Sequence, residues 1–427
     1  MLLKSTPDTN EHAPSYYAAS ANWQTDYPKL EGDISADVVI VGGGFSGVAT
    51  AVELCERGCK VALIEANRIG WGASGRNGGQ IIGGYGSNPA SFRSSIGSEG
   101  VKVVENMGVE CVDIIKARIE KYKIDCDLKW GYCEVGLKNR HMKAYRDWAD
   151  DEPAIKLLGR DELKEYVNSE LYIGGYYRED WGHIQPLNLC IGEARAAESM
   201  GAKIFEQSRI TSITYGDQPK VYTESGSVKA DHVILCGNAY MGDLVPYLDA
   251  RVLPATSCII GTEPLTEEQI QQTLVQDVAV CDSRTALDYY RLSADKRLLF
   301  GGLANYSGLD PANVIGIMRS KMEKVFPSLR NVRIDYSWSG RMGISVRRMP
   351  QIGRIKNSNV LYISGYSGHG VAPTHMTGRI LAEAVSGKPY RFDIMNKMFH
   401  MTWPGGKLFR RPFMALGMMW YKALDAF

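Results

Sequence analysis

The chain has 427 residues, of which 44% are hydrophobic and 23% are charged, and its formal net charge is +1. This length predicts two or three globular domains, and the balanced charge offers no electrostatic reason to bind nucleic acid. Nine cysteines without a C-x-x-C pair favour reduced thiols over disulfides, and the seven histidines lack metal-ligand spacing. Because we find no signal-like leader and no uncharged apolar stretch of 18 residues, we expect a soluble, cytoplasmic protein without a transmembrane segment.

Residues 1–32 are mostly polar, and we expect them to form an N-terminal arm. Within the arm, the segment SYYAASANW (Ser15 to Trp23) is rich in aromatic side chains. The simplest interpretation is that this segment packs over the surface of the protein.

Residues 37–66 predict a βαβ unit that binds a dinucleotide. Four apolar β-formers lead into a G-x-G-x-x-G turn, a segment with helical periodicity follows, and a second strand ends at an acid. The glycines permit a tight turn and a close approach to pyrophosphate, and the helix N-terminus favours phosphate. The acid suits ribose hydroxyls and would repel a ribose phosphate, so NADP is disfavoured. The predicted contacts are Gly42, Gly44, Phe45, Ser46, Gly47, Glu65 and Ala66.

The next stretch, Asn67 to Gly86, is too rich in glycine to form a stable helix or strand. Exposed N–H groups and polar side chains in such a loop suit a long cofactor that bears phosphates. The predicted contacts in this loop are Ser74, Gly75, Arg76, Asn77, Gly78, Gly79 and Gln80.

The middle of the chain alternates between two patterns. Apolar positions spaced three and four apart predict helices, and alternating or β-rich runs predict strands. The runs within 246–302 fit an antiparallel sheet in a second domain. The predicted helices are 98–122, a polar stretch ending near 165, one within 182–201 that begins at a Pro and ends in Gly, and 312–326. The predicted strands are a pair within 126–137, then 171–177, 203–205, 210–215, runs within 246–302, and 334–339. A buried strand at 233–236 runs into Gly237 and Asn238, which we assign to the nucleotide layer.

The segment 359–387 predicts a strand, a second glycine turn and a helix. A helix N-terminus at this turn would stabilise negative charge on a reduced flavin. Since the chain has no second strand-linked G-x-G-x-x-G, we favour FAD over NAD. The predicted contacts are Gly365, Tyr366, Ser367, Gly368, His369 and Gly370, and His369 is also a candidate contact of the substrate.

The last residues, Trp403 to Phe427, contain an apolar run that is too short to span a bilayer. We expect it to pack on the body or on a partner subunit, with a peripheral membrane contact as the alternative. The predicted domains are an arm at 1–32, an FAD-binding domain at 33–117, 183–245 and 341–395, a substrate domain at 118–182 and 246–340, and a tail at 396–427.

Eight segments together resemble the FAD-dependent oxidases of the D-amino acid oxidase, glycine oxidase and sarcosine oxidase superfamily. Within it, the chain is most similar to the bacterial gamma-glutamylputrescine oxidases. The segments are SYYAASAN, GASGRNGGQ, GHIQPLNLCIGEA, VILCGNAYMGD, LDYYRLSAD, RMPQIGR, GYSGHGVAPTH and WPGG. The resemblance implies a mixed α/β and α+β fold, in which a Rossmann-like FAD-binding domain is interrupted by a substrate domain with an antiparallel sheet.

The resemblance also implies how the cofactor is held. Ile210 matches the position whose backbone touches the adenine. Sarcosine oxidases attach their flavin through a cysteine, but residues 343–348 contain none, and the loop 67–86 lacks the histidine that dimethylglycine-type relatives use. We therefore expect non-covalent FAD.

The implied activity is oxidation of a primary amine, most simply gamma-glutamylputrescine, to an aldehyde, ammonia and hydrogen peroxide. The expected partners are the amine and O2, with the protein a monomer or homodimer. Candidates for the substrate wall are Gln80, Tyr290, Arg291, His369 and Trp403. An Arg would suit a glutamyl carboxylate, and Arg291, Arg341 and Arg347 are the options. The alternatives are a dehydrogenase that passes electrons to a carrier and a flavin-binding protein without activity.

Overall fold

The computed structural model describes residues 3–4, 10–284, 286–305, 310–311, 313–406, 409–410 and 414. The strands are β1 (Leu3–Lys4), β2 (Gly32–Val41), β3 (Val61–Ile64), β4 (Gln80–Ile81), β5 (Lys129–Gly136), β6 (Lys156–Gly159), β7 (Gly174–His183), β8 (Lys203–Phe205), β9 (Ser212–Thr214), β10 (Lys220–Tyr222), β11 (Gly226–Leu235), β12 (Val252–Pro264), β13 (Ala279–Asp282), β14 (Tyr289–Leu292), β15 (Arg297–Asn305), β16 (Asp310–Pro311), β17 (Ile334–Ser345), β18 (Gln351–Arg354) and β19 (Val360–Ser364). The helices are α1 (Tyr16–Ala19), α2 (Phe45–Cys55), α3 (Arg93–Tyr122), α4 (Asn139–Ala149), α5 (Arg160–Leu163), α6 (Pro186–Ser199), α7 (Pro246–Asp249), α8 (Glu267–Gln271), α9 (Val314–Val325), α10 (Val371–Val385) and α11 (Tyr390–Asn396).

The first large sheet has the order β18-β19-β11-β2-β3-β8, with β10 and β9 added beside β11. The strands from β19 to β8 are parallel, and β18 is antiparallel at the edge. Helices α2, α3, α6 and α10 pack against one another next to this sheet. The continuous apolar run Val38–Val41 is buried at its centre, as a parallel strand covered on both faces requires. This layer confirms the predicted Rossmann-like part of the fold.

The second large sheet has the order β17-β12-β15-β14-β13-β5-β7-β4, with β6 beside β7. Its pairs are antiparallel except for β13 with β5. One face of this second sheet contributes to the largest hydrophobic core, to which the first sheet also contributes. The other face packs on α9 and forms a separate core. The predicted antiparallel sheet is thus confirmed, whereas the domain boundaries stay a prediction.

Three local predictions are wrong in detail. The polar helix expected to run to about residue 165 ends at Ala149, because Pro153 interrupts it before β6 begins. The strand pair expected within 126–137 is the single strand β5, bulged beside Gly131, which has φ +121°. The aromatic arm does more than cover the surface, since Tyr17 is fully buried and packs edge-on against Trp338 with ring centroids 5.2 Å apart.

No helix in the described ranges is long and apolar enough to cross a membrane. The cytoplasmic location stays a prediction. Most of the apolar C-terminal run lies outside the described residues, so its packing also stays a prediction.

Candidate FAD and substrate site

Three glycine turns meet at one edge of the first sheet. Neighbouring parallel strands β19, β11 and β2 end side by side and lead into Gly365, Gly237 and Gly42. A Cβ atom on Gly42, which has φ +110°, would lie 3.1 Å from the carbonyl oxygen of Cys236. The N–H of Gly365 donates to Oδ1 of Asn238 at 2.9 Å. Turns far apart in the sequence therefore form one continuous backbone surface at the carboxyl ends of the strands, where α/β sheets bind ligands.

The helices that follow the first and third turns also begin side by side. Ser46 in α2 and Tyr366 before α10 share a hydrogen bond of 2.8 Å, and the Tyr366 hydroxyl lies 2.6 Å from Oγ1 of Thr377. The rings of Phe45 and His375 are 5.5 Å apart. Both helix N-termini therefore direct their partial positive charge toward the same region, which suits an anionic cofactor.

The turn before α2 has no room for side chains. A Cβ atom on Gly47 would lie 1.8 Å from the carbonyl oxygen of Gly42, and one on Gly44 would lie 2.8 Å from Oγ of Ser74. The same Oγ accepts the N–H of Phe45 at 2.8 Å. The result is a cradle of bare backbone with one hydroxyl beside it, as the close approach of a pyrophosphate needs.

Glu65 directly follows the second strand of the βαβ unit, β3. It accepts the N–H of Gly43 at 2.6 Å and that of Asn67 at 2.9 Å. Burial raises the pKa of Glu65, and these backbone N–H groups act in the opposite direction. The Oδ1 atom of Asn67 is buried without a hydrogen-bond partner among the described residues. An unpartnered acceptor beside the acid fits the ribose and adenine end of a dinucleotide, and Asn67 was not among the contacts predicted from the sequence.

A second segment lies along this end of the site. The N–H of Glu65 donates to the carbonyl of Phe205 at 2.8 Å, and the N–H of Ser208 donates to the carbonyl of Glu65 at 2.9 Å. Half-buried Ile210 follows two residues later, and Ala66 is also half-buried. The adenine contact proposed for Ile210 stays a prediction.

The glycine loop is braced by its own side chains. The Nδ2 group of Asn77 donates to the carbonyls of Ala73 and Ser74, and its Oδ1 accepts the N–H of Gly79. Nε of Arg76 donates to the carbonyl of Trp71, and its guanidinium lies 4.4 Å from the centre of that ring. Arg76 is buried in this contact, and its contact with the cofactor stays a prediction. Tight packing also surrounds the glycines of the loop. A Cβ atom on Gly75 would lie 2.3 Å from the carbonyl oxygen of Gly70, and one on Gly78 would lie 2.7 Å from the Tyr289 ring. A Cβ atom on Gly79 would lie 2.2 Å from the carbonyl oxygen of Ile184.

Gln80 and His369 lie next to the end of the glycine loop. Gln80 begins β4, a strand that the sequence analysis assigned to loop, and its Nε2 donates to the carbonyl of Val280 at 2.8 Å. Nε2 of His369 lies 3.0 Å from the carbonyl oxygen of Gly83. Burial lowers the pKa of His369, so the ring is neutral near pH 7. His369 therefore reaches across from the third glycine turn to the first loop.

The third turn itself depends on glycine backbone. Gly365 and Gly368 have φ of +79° and +86°, and Ser367 between them has φ +59°. The Oγ of Ser367 accepts the N–H of Ser345 at 3.2 Å, and Gly370 caps α10. Phosphate or flavin contacts of these residues stay predictions.

Tyr290 does not belong to the substrate wall. Strand alternation points its ring to the α9 side of the second sheet, where it stacks on Phe300 and its hydroxyl donates to Tyr172 at 3.0 Å. Its neighbour Tyr289 faces the glycine loop instead, and its hydroxyl lies 3.0 Å from Oγ of Ser257. The residue that lines this face is therefore Tyr289, one position before the predicted Tyr290.

Two further candidates for the substrate wall use their side-chain donors in hydrogen bonds to backbone carbonyls. Trp403 is buried and donates through Nε1 to the carbonyl of Ile344 at 3.0 Å. Arg291 is 3% exposed and donates to the carbonyls of Gly78 and Ile184 at 2.9 and 2.7 Å. Arg291 thus ties the glycine loop to the second sheet rather than offering its guanidinium to a substrate.

The other two arginine candidates make contacts of their own, and their binding of a substrate carboxylate stays a prediction. Arg347 donates to the carbonyl of Ser91 and lies over Phe92, 3.9 Å from the ring centre. The Arg341 guanidinium lies 5.9 Å from the ring centre of Tyr240. No cluster of metal-ligating side chains occurs in the part of the chain that the structure describes.

Comparisons with known proteins show the family to which this chain belongs. Residues 37–384 match the family model of FAD dependent oxidoreductases. The chain is 39% identical to gamma-glutamylputrescine oxidoreductase of Escherichia coli, over 97% of this chain and 99% of that protein. It is 37% identical to the "Probable oxidoreductase OrdL" of Haemophilus influenzae, over 98% of each chain. Glycine oxidase from Geobacillus kaustophilus has the same fold, with a TM-score of 0.70 and 21% identity over 83% of this chain and 95% of that one.

The family match covers both large sheets and all three glycine turns. The cradle, the acid at the strand end and the paired helix N-termini are features that suit a dinucleotide cofactor such as FAD. The chain belongs to the FAD-dependent oxidoreductase family and is an enzyme of that class.

Proposed function

We propose that this protein oxidises gamma-glutamylputrescine with O2 and water, giving gamma-glutamyl-aminobutyraldehyde, ammonia and hydrogen peroxide. The observation that carries the proposal is the 39% identity to the Escherichia coli gamma-glutamylputrescine oxidoreductase, which extends over almost the whole of both chains. The site geometry supports it, because the cradle is backed by a complete second sheet whose Tyr289 faces the cofactor loop.

FAD would be held by the turns at Gly42, Gly237 and Gly365, with Glu65 at the ribose. When bound, FAD supplies the acceptor for a hydride from the carbon that carries the amine. The task of the protein is then to hold that carbon at the correct distance and to exclude water.

The side chains that we place beside this position carry no charge of their own. The hydroxyls of Tyr289 and Ser257 form a pair, His369 is neutral, and Gln80 presents an amide that is held by Val280. Neutral surroundings favour the unprotonated amine, because burying an isolated ammonium is costly. An amine that enters without its proton needs no ionised side chain as a base, so we assign Tyr289, Gln80 and His369 positioning roles.

We also propose that the FAD is held without a covalent bond. Cys236 adjoins Gly42, and burial raises the pKa of its thiol to about 12. The thiol of Cys190 lies 3.6 Å from the carbonyl oxygen of Gly43, and burial raises its pKa as well. Since thiolates rather than thiols are nucleophilic, neither cysteine is suited to attack a flavin.

The test is a product balance with the purified, FAD-loaded enzyme and gamma-glutamylputrescine in air. The expected result is equal amounts of aldehyde, ammonia and hydrogen peroxide, with oxygen uptake to match. A dehydrogenase would instead reduce an added electron-carrying dye and release no peroxide. A panel with free putrescine, glycine, sarcosine and D-amino acids completes the test, and reduction of the flavin by D-amino acids alone would overturn the proposed substrate class.

A further inference from the structure

A carboxylate outside the expected site lies on the same sheet face as Tyr289. Strand pairing sets Tyr289 beside Cys281, Cys281 beside Glu134, and Glu134 beside Tyr176. Residues paired across neighbouring strands point to the same face. Two strand spacings separate Glu134 from Tyr289, which is about 10 Å, and the small side chain of Cys281 is the one between them.

Aromatic side chains surround this carboxylate, and we call the group the Glu134 cage. Three tyrosine hydroxyls donate to Glu134, from Tyr176 at 2.8 Å, Tyr145 at 3.2 Å and Tyr132 at 3.5 Å. Two indoles complete the cage. Trp148 lies 5.4 Å from the Tyr176 ring, and Trp181 lies 5.3 Å from the Tyr132 ring.

The Glu134 cage has no cation of its own. In the described ranges, Glu134 makes no ion pair with a lysine, arginine or histidine. Arg178 lies over Trp181 at 4.4 Å from the ring centre, but Asp180 holds it with two hydrogen bonds of 2.9 and 2.7 Å. A carboxylate has about four acceptor positions, so three hydroxyls leave room for another donor.

The Glu134 cage is open on one side and touches the cofactor loop on the other. Glu134 is half-buried, and Trp148 at its rim is 39% exposed. At the inner end, a Cβ atom on Gly83 would lie 3.2 Å from Nε1 of Trp181, and the carbonyl of Gly83 is the partner of His369. A group in the cage would therefore lie next to the site described above.

We propose that the Glu134 cage binds the α-ammonium of the gamma-glutamyl group, an inference that rests on the proposed function. A primary ammonium can donate to the acceptor position of Glu134 that the three hydroxyls leave open. Its positive charge is also attracted to the π faces of the surrounding aromatic rings. Binding of this ammonium in the cage would make the enzyme bind a glutamylated amine more tightly than a simple alkylamine.

The length of the substrate fits this position. Nine bonds separate the α-ammonium of gamma-glutamylputrescine from the carbon that loses hydride, which is about 10–11 Å when extended, at about 3.5 Å per three bonds. The second amine of free putrescine is four bonds from that carbon and reaches about 5 Å. The backbones of Tyr289 and Glu134 are about 10 Å apart, a span that the glutamylated substrate can cover and the free diamine cannot.

The experiment uses two unreactive ligands on the FAD-loaded enzyme. Gamma-glutamylbutylamide lacks the reacting amine, and its N-acetyl derivative also lacks the α-ammonium. Dissociation constants are measured by equilibrium dialysis. The wild type should bind the first ligand at least tenfold more tightly than the second, and Glu134→Gln should remove that preference while leaving the N-acetyl ligand unaffected.

Two further variants separate the role of the cage from effects on folding. Trp148→Ala, at the exposed rim, should lower the affinity for the ligand with the free α-ammonium about threefold, as loss of one cation–π contact predicts. Glu198→Gln alters a carboxylate that is also bound by a tyrosine hydroxyl, Tyr27, but lies outside the cage, and it should retain the full preference. FAD content and melting temperature report on folding for each variant.

The outcomes distinguish the two proposals. Equal binding of both ligands by the wild type overturns the inference, as does an unchanged preference in a folded Glu134→Gln enzyme. If Glu134→Gln does not fold, a full preference in Trp148→Ala overturns it. Failure of the wild type to oxidise gamma-glutamylputrescine at all refutes the proposed function instead.

Discussion

Replacing Arg291 by lysine tests whether this residue holds the glycine loop or the substrate. Its guanidinium donates to the carbonyls of Gly78, Ile184 and Leu292 and to the hydroxyl of Tyr17, at 2.7 to 3.2 Å. A lysine ammonium lacks the planar fork and would leave at least two buried carbonyls unpaired. At about 1.5 kcal/mol for each unpaired group, the loss is about 3–4 kcal/mol.

The expected effect on melting temperature follows from the size of the protein. About 2.1 cal/mol/K of unfolding entropy per residue, over 427 residues, gives about 0.9 kcal/mol/K, so the melting temperature should fall by about 4 °C. Affinity for FAD should also fall, because Gly78 is no longer tied to the second sheet. Calorimetry and FAD titration of the apoprotein measure both quantities.

The exposed Arg330 provides the control, since Arg330→Lys should shift the melting temperature by less than 1 °C. A different result would refute the structural role of Arg291. If Arg291→Lys melts like the wild type and binds FAD normally, but has a raised KM for glutamylated amines only, then Arg291 binds the substrate carboxylate after all.

Three further predictions concern the cofactor, the tyrosine pair and acid stability. Gly44→Val should lose at least tenfold in FAD affinity, measured by fluorescence titration, because the added atoms would crowd Ser74 in the cradle, while φ of −84° leaves the backbone unstrained. Tyr289→Phe should lower kcat/KM for the amine, whereas Tyr290→Phe should cost only about 1 kcal/mol of stability and leave kcat/KM unchanged; the reverse pattern would restore Tyr290 to the substrate wall. Burial lowers the pKa of His400 to about 4 from 6.5, so the unfolded chain takes up the proton first and stability should fall as pH drops from about 6.5 to about 4. In His400→Gln, the slope of unfolding free energy against pH in that range should be smaller by up to about 1.4 kcal/mol per pH unit, and an unchanged slope would show that His400 does not titrate in this way.

The sequence was most informative where structure is local. The βαβ unit and its glycine turn can be read from adjacent residues, because strand, turn and helix each follow from the residue types within 30 positions. The meeting of Gly365 with Gly42 was also predictable, since both turns follow buried strands and the carboxyl ends of parallel strands share an edge.

The sequence was least informative where the partner lies on another strand. Tyr289 and Tyr290 look equivalent in the sequence, and only the phase of β14 decides which one faces the cofactor loop. The buried contacts of Arg76, Arg291 and Trp403 depend on carbonyls that are distant in sequence. Glu134 gave no signal either, because its cage is assembled from strands β5 and β7 and helix α4.

The most direct measurement is an anaerobic titration of the purified protein, first with FAD and then with gamma-glutamylputrescine. One FAD should bind per chain at the joined glycine turns, and one equivalent of amine should bleach its yellow absorbance. A protein that stays colourless in excess FAD, or whose bound FAD is not reduced by any primary amine, would contradict the assignment of this site.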